Sequence, residues 1–104
     1  MNDPSLPDHL YKIVSPEQWQ KSQKKVVTSS IDKDFIHLAK EDQVPNVVKK
    51  FWNNRDYIVL KLVSKKLVGR LIYETNPEGS TRYYHLYEGT IPIEAVVEAT
   101  TFTT

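Results

Sequence analysis

Residues 35–63 read Phe35-Ile36-His37-Leu38-Ala39, then a mixed stretch from Lys40 to Asn53, then Tyr57-Ile58-Val59-Leu60-Lys61-Leu62-Val63. The first segment alternates, so Phe35, His37 and Ala39 share one face of a strand while Ile36 and Leu38 share the other. In the second, Val44, Val47, Val48, Phe51 and Trp52 recur at three- and four-residue intervals, the spacing of one apolar helical stripe. Pro45 belongs in the first turn of that helix, because deeper inside it would remove a hydrogen bond and kink the chain. The group Asn53-Asn54-Arg55-Asp56 stops it. The third segment is the most apolar and β-branched of the chain, with Lys61 its only charge, and reads as a central strand covered on both faces. Strand, helix and strand in close succession point to an α+β arrangement if more strands follow.

More strands are expected on both sides. Toward the N-terminus, Leu10 to Val14 is a strand-like run stopped by Ser15-Pro16-Glu17-Gln18. There Ser suits the helix N-cap, Pro the first helical position, and Gln stands where a capping box needs it. This predicts a short helix to about Lys24 anchored by Trp19, then a brief strand over Val26 to Ser29 and turn chemistry in residues 30–34. Toward the C-terminus, Leu71 to Thr75 and Tyr83 to Tyr87 flank Asn76-Pro77-Glu78-Gly79 and predict a hairpin. Glu88-Gly89 reads as a break, Ile91 to Glu94 as a short turn, and Ala95 to Phe102 as a last strand. The expected architecture is α+β: small antiparallel or mixed sheets, with two helices in the N-terminal half. Residues 1–8 read as a flexible leader and residues 9–104 as one domain.

Composition narrows the function. The 104 residues are 39% apolar and 26% charged, enough for one modest core and a shallow cleft. Fourteen basic against thirteen acidic side chains give a net charge of +1, so no global field draws the chain to nucleic acid or an anionic membrane, and any anion site is local. With no cysteine there is no thiolate nucleophile, zinc-thiolate centre or disulfide framework. The longest uncharged apolar run, Tyr57 to Leu60, is far too short to span a bilayer. The start of the chain lacks the order of a signal peptide, which makes the cytoplasm the expected location. A monomer or weak dimer is expected.

Three histidines occur, and His37 and His85 both fall inside strands. A strand aims an imidazole rigidly, as a hydrogen-bonding or general-acid role requires; each also reads as a half-buried filler satisfied by backbone or water. Glu74 lies near His85 if the hairpin closes, as a catalytic carboxylate or as an ordinary cross-strand charge. Tyr73, Tyr83, Tyr84 and Tyr87 are a candidate stacking wall for a planar ring or ordinary strand tyrosines. Ser29, Ser30 and Asp32 supply short polar groups suited to ribose or phosphate oxygens, or simply a turn. Scattered glycines make no phosphate loop, and no local ligand motif supports a metal site, so no metal is expected.

Several of these segments together resemble a known family. Leu10-Tyr11-Lys12-Ile13 before a Trp-bearing helix, Ser30-Ile31-Asp32, Phe35-Ile36-His37-Leu38 with Gln43-Val44-Pro45, and His85-Leu86-Tyr87 before Ile-Pro-x-x-Ala-Val resemble domain of unknown function 952, from about Leu10 to Val97. That family is similar to a reduced ADP-ribosyltransferase-like fold, a split pair of small sheets whose cleft binds NAD in better-known relatives. The family pattern matches Ser30, Asp32, His37, Gln43, Glu74, His85 and Tyr87. Asp34 stands where the family usually has Gly, Ala39 where it has Ser, and Glu88 lengthens the stretch before Pro92. The strand around His37 is also similar to that of RNA 2'-phosphotransferases, but the arginine cluster expected of those enzymes is missing.

The resemblance implies a cleft for NAD or a related nucleotide, with NAD as a substrate and no resident cofactor. Glu74, His85 and His37 are its catalytic candidates; Ser30, Asp32, His37, Gln43 and Tyr87 are its binding candidates. In that reading Glu74 stabilises positive charge developing on the ribose as nicotinamide leaves, and His85 acts as acid or base on the acceptor. The alternative is a non-catalytic module binding a nucleotide, an RNA end or a protein.

Overall fold

The computed structural model of the chain describes residues 6–29, 32–76 and 79–104. Most of the leader, Ser30 with Ile31, and Pro77 with Glu78 in the hairpin turn lie outside the described residues. Among the described residues, six strands form two three-stranded sheets. The first has the order β1 (His9–Val14), β3 (Tyr57–Val63) and β6 (Val96–Phe102); the second has the order β2 (Ile36–His37), β5 (Arg82–Thr90) and β4 (Val68–Thr75). All strand pairs are antiparallel, so the sheets are not mixed. One bridge joins them: Tyr11 and Ala39 exchange backbone bonds of 2.8 and 2.9 Å.

Local chemistry explains where the helices sit. Helix α1 (Pro16–Lys21) begins with the expected capping box, Ser15 and Gln18 satisfying each other's backbone N–H groups. It ends before Lys24, because Ser22 turns its hydroxyl to the Gln18 carbonyl at 2.8 Å and accepts from the Val27 N–H at 2.9 Å. Helix α2 (Val44–Phe51) has Pro45 in its first turn and is preceded by a 3-10 turn over Glu41–Gln43. Asn54, with φ 62°, follows in the left-handed region, which Asn tolerates better than most residues. Phe51 is 57% exposed and Val44, Val47, Val48 and Trp52 are only half-buried, so the apolar stripe packs at the margin of the core and not inside it.

The core lies between the sheets and includes Leu10, Val14, Ile36, Leu38, Leu60, Leu62 and Leu86. Strand β3 is central in its sheet, but only Ile58, Leu60 and Leu62 are buried; Tyr57, Val59, Lys61 and Val63 are half-buried. It is therefore covered fully on one face only. The expected strand over Val26 to Ser29 reduces to a bridge between Lys25 and Pro92. Glu88 and Gly89 do not end β5. Glu88 takes φ 51° and the register shifts between Val68 and Arg70, a bulge that bends the hairpin while pairing continues. At Gly89 an added Cβ would lie 1.7 Å from the Val68 carbonyl oxygen, so only glycine fits. No helix among the described residues is long and apolar enough to cross a membrane.

Candidate functional site

The bridge between the sheets brings β1 beside β2, and the site forms around that seam. Leu10, Lys12 and Val14 alternate on β1 and all three are buried, so a lysine occupies a position that the strand's pattern turns inward. Its ammonium lies 3.1 Å from Asp32 Oδ1 and 2.9 Å from Oδ2, and donates to the His37 carbonyl at 3.1 Å. Asp32 Oδ1 also accepts from the His37 backbone N–H at 3.0 Å and from its ring Nδ1 at 2.9 Å. The other carboxylate oxygen has the ionic contact with Lys12 but no aligned hydrogen bond.

Burial by itself would raise the Asp32 carboxyl, but the bonds from His37 and the Lys12 charge outweigh it and hold it at about 2. For Lys12 the balance is reversed. Desolvation dominates over its attraction to Asp32 and moves the amine below its ordinary value. Asp32 gathers three donors on one oxygen, whereas Lys12 has only one charged partner to offset the loss of water.

His37 and His85 are directly opposed across β2 and β5, with ring centroids 5.5 Å apart. Phe35 stacks on His85 at 4.0 Å and touches the His37 ring at 4.7 Å. His85 is fully buried; its Nδ1 meets Glu74 Oε2 at 2.8 Å, and that oxygen also accepts from the Tyr87 hydroxyl. Because the carboxylate takes a proton donor at Nδ1, Nε2 is the nitrogen left over, and it has no partner among the described residues. The Tyr87 hydroxyl and then His85 hold the Glu74 carboxyl below its ordinary range, while the same bond raises Tyr87. Two carboxylate–imidazole pairs thus stand side by side.

A cleft of about 460 Å³ opens on one of them. It is lined by Lys12, Asp32 and His37 at the seam, by Tyr11, Ile13, Leu38 and Ala39 on the strands, and by Val47, Lys50, Phe51, Trp52 and Arg55 from α2 and the turn after it. Ser15, Gln18, Ser29, Asn76 and Tyr83 complete the wall. Glu74, His85 and Tyr87 do not line it, although Glu74 pairs in register with the cleft residue Tyr83. Arg55 lies over the Trp52 ring at 4.3 Å.

The residues singled out from the sequence therefore divide. His37 and Asp32 meet in the cleft, and Glu74, His85 and Tyr87 meet behind it. Gln43 does neither: its amide accepts from the Lys40 N–H at 2.9 Å and donates to the Arg82 carbonyl at 2.7 Å, tying α2 to β5. Ser30 lies outside the described residues. The four tyrosines do not form one wall, because strand alternation puts Tyr73 against Tyr84 at 4.7 Å on one face and turns Tyr83 and Tyr87 to the other. Among the described residues no group of three metal-ligating side chains is placed to hold an ion. Sequence reasoning missed Lys12, Lys50, Trp52 and Arg55; the signal for Lys12 was a charge at an inward step of an apolar strand.

The family model described as a protein of unknown function, DUF952, matches residues 13–99. The X-ray crystal structure of protein CC0527 from Caulobacter crescentus is similar, with a TM-score of 0.76 at 26% identity, covering 89% of this chain and 84% of that one. The solution NMR structure of CC0527 gives a TM-score of 0.71 at 24% identity, over 90% and 84% of the two chains. No curated protein matches the chain.

Proposed function

Because the chain belongs to the DUF952 family, whose description states no activity, its function must be read from the cleft, and we propose that it binds a nucleotide of the NAD or ADP-ribose type there. The observation that carries this reading is the composition of one cavity. Trp52, Phe51, Tyr11 and Tyr83 offer ring surfaces, Lys50 and Arg55 supply local positive charge, and His37 is oriented by a buried carboxylate. Its volume is in the range of small-molecule sites, roughly 300 to 1,000 Å³. With a net charge of +1, attraction to phosphate has to come from such local cations. Two small sheets joined by one bridge also fit a reduced ADP-ribosyltransferase-like architecture.

Binding is favoured over NAD cleavage through Glu74. That carboxylate shares one oxygen between His85 and Tyr87 and does not line the cleft. The second reading, ADP-ribosyl transfer, rests on the register pairing of Glu74 with Tyr83, which puts the carboxylate one strand away from the cavity. Titration of Trp52 fluorescence in a Trp19→Phe background tests the binding reading. NAD, ADP-ribose or AMP is expected to produce a saturable change that His37→Ala weakens. No saturable change with any of the three refutes it. NAD turnover that Glu74→Gln abolishes would instead establish the transfer reading.

A further inference from the structure

We propose that Lys12 is a nucleophilic amine, poised to form an imine with the open-chain aldehyde of a nucleotide carrying a reducing ribose, of which ADP-ribose is the type. This deepens the binding reading and rests on it. Lys12 lines the cleft beside His37 and Asp32, so an amine, a carboxylate and an imidazole stand in one hydrogen-bonded chain next to the bridge between Tyr11 of β1 and Ala39, just past the end of β2.

The hydrogen bonds suit a neutral amine as well as an ammonium. Lys12 faces two acceptors, the Asp32 carboxylate and the His37 carbonyl. An –NH₂ group retains two N–H donors, one for each, and keeps its lone pair free. Asp32 tolerates the loss of the ammonium charge, because the His37 backbone N–H and ring Nδ1 still donate to Oδ1 at 3.0 and 2.9 Å. Desolvation supplies the tendency toward the neutral form, the usual means of activating a lysine.

In the reaction the lone pair attacks the aldehyde carbon and a C–N bond forms as the C=O pair moves onto oxygen. The proton lost by nitrogen passes to His37, which returns it to that oxygen, giving a carbinolamine. The remaining N–H proton then passes through His37 to the hydroxyl, which leaves as water as the C=N bond forms. Amine and aldehyde become imine and water, with no oxidant or reductant required. His37 lines the same cavity, and fixing Nδ1 on Asp32 leaves Nε2 as its proton-carrying atom.

The test is reductive trapping on the intact protein with ADP-ribose and cyanoborohydride, followed by peptide mass spectrometry. Lys12 is expected to acquire the ribosyl adduct about tenfold faster than Lys50 or the other exposed lysines, because the cavity holds amine and aldehyde together. AMP, which has no free aldehyde, is expected to protect Lys12 without forming an adduct, and His37→Ala to slow labelling at Lys12 while leaving exposed lysines unaffected. Adducts on exposed lysines with Lys12 unlabelled, or labelling of Lys12 that AMP does not suppress, overturns the proposal. In either case, saturable quenching of Trp52 by AMP shows that the binding reading survives. Absence of quenching by every nucleotide overturns both.

Discussion

Replacing Asp32 by Asn tests the electrostatics of the seam. The Asp32 side chain is 1% exposed and the Lys12 side chain that faces it 8%, so neither charge has water to fall back on. In Asp32→Asn the Lys12 ammonium keeps only the neutral amide and the His37 carbonyl as partners. Breaking a buried pair by removing one charge costs about 3–5 kcal/mol. Part of that loss is visible as a pH dependence. The folded carboxyl sits at about 2 against an ordinary value of 3.8, which at 1.36 kcal/mol per unit is about 2 kcal/mol. The folded value is the lower one, so this contribution is complete above about pH 4 and disappears as the pH falls through about 2. Urea unfolding followed by circular dichroism at pH 7, 4, 3 and 2 reads both quantities. The wild-type protein is expected to lose about 2 kcal/mol more than the variant on going from pH 4 to pH 2. In Lys12→Met/Asp32→Asn no buried charge is orphaned, and part of the stability at pH 7 is expected to return. A single variant within about 1 kcal/mol of wild type at pH 7, or one with an unchanged acid slope, refutes the argument.

Three further outcomes follow from local geometry. Gly89→Ala drives a Cβ to 1.7 Å from the Val68 carbonyl oxygen, a backbone atom that cannot rotate away; a loss of about 3 kcal/mol or more is expected from urea unfolding. Ser15→Ala removes the side-chain half of the capping box and is expected to cost about 1 kcal/mol in the same assay. Tyr87→Phe deletes the first of the causes that hold Glu74 down. The Glu74 carboxyl should therefore titrate at higher pH in carbon-detected NMR, and an unchanged titration would show that His85 alone sets it.

Where local chemistry decides, the fold was legible. The Ser15 to Gln18 box starts α1, Pro45 fixes the first turn of α2, and the β-branched run makes β3 the centre of its sheet. Legibility fails where a side chain or another strand competes. Ser22 turns its hydroxyl onto the Gln18 carbonyl and ends α1 early, although the residues after it have helical propensity. Glu88 and Gly89 look like a break, yet they form a bulge of β5 opposite the single residue Gly69 of β4, and the ladder continues. Such an outcome depends on the partner strand, which a reading of one segment at a time does not contain.

The site divides on the same principle. His37 and His85 lie 48 positions apart in the sequence but become neighbours through one antiparallel register, and Glu74 joins them through the next. Strand alternation alone predicts which faces they occupy. It does not predict that β1 arrives at Ala39 and carries Lys12 with it, since that bridge is the only backbone contact of its kind between the two sheets among the described residues. The cleft exists because of that seam. The Asp32–His37 pair opens on it, while the Glu74–His85 pair lies outside it, with the His85 ring buried against Phe35 and Glu74 partly open to solvent. A buried lysine on the first pair adds charge where an apolar residue would pack at lower cost, since a buried ion pair is often no more stabilising than its hydrophobic replacement. Fold stability is therefore a poor explanation for Lys12, whereas its position lining the cavity is what the proposed imine formation requires.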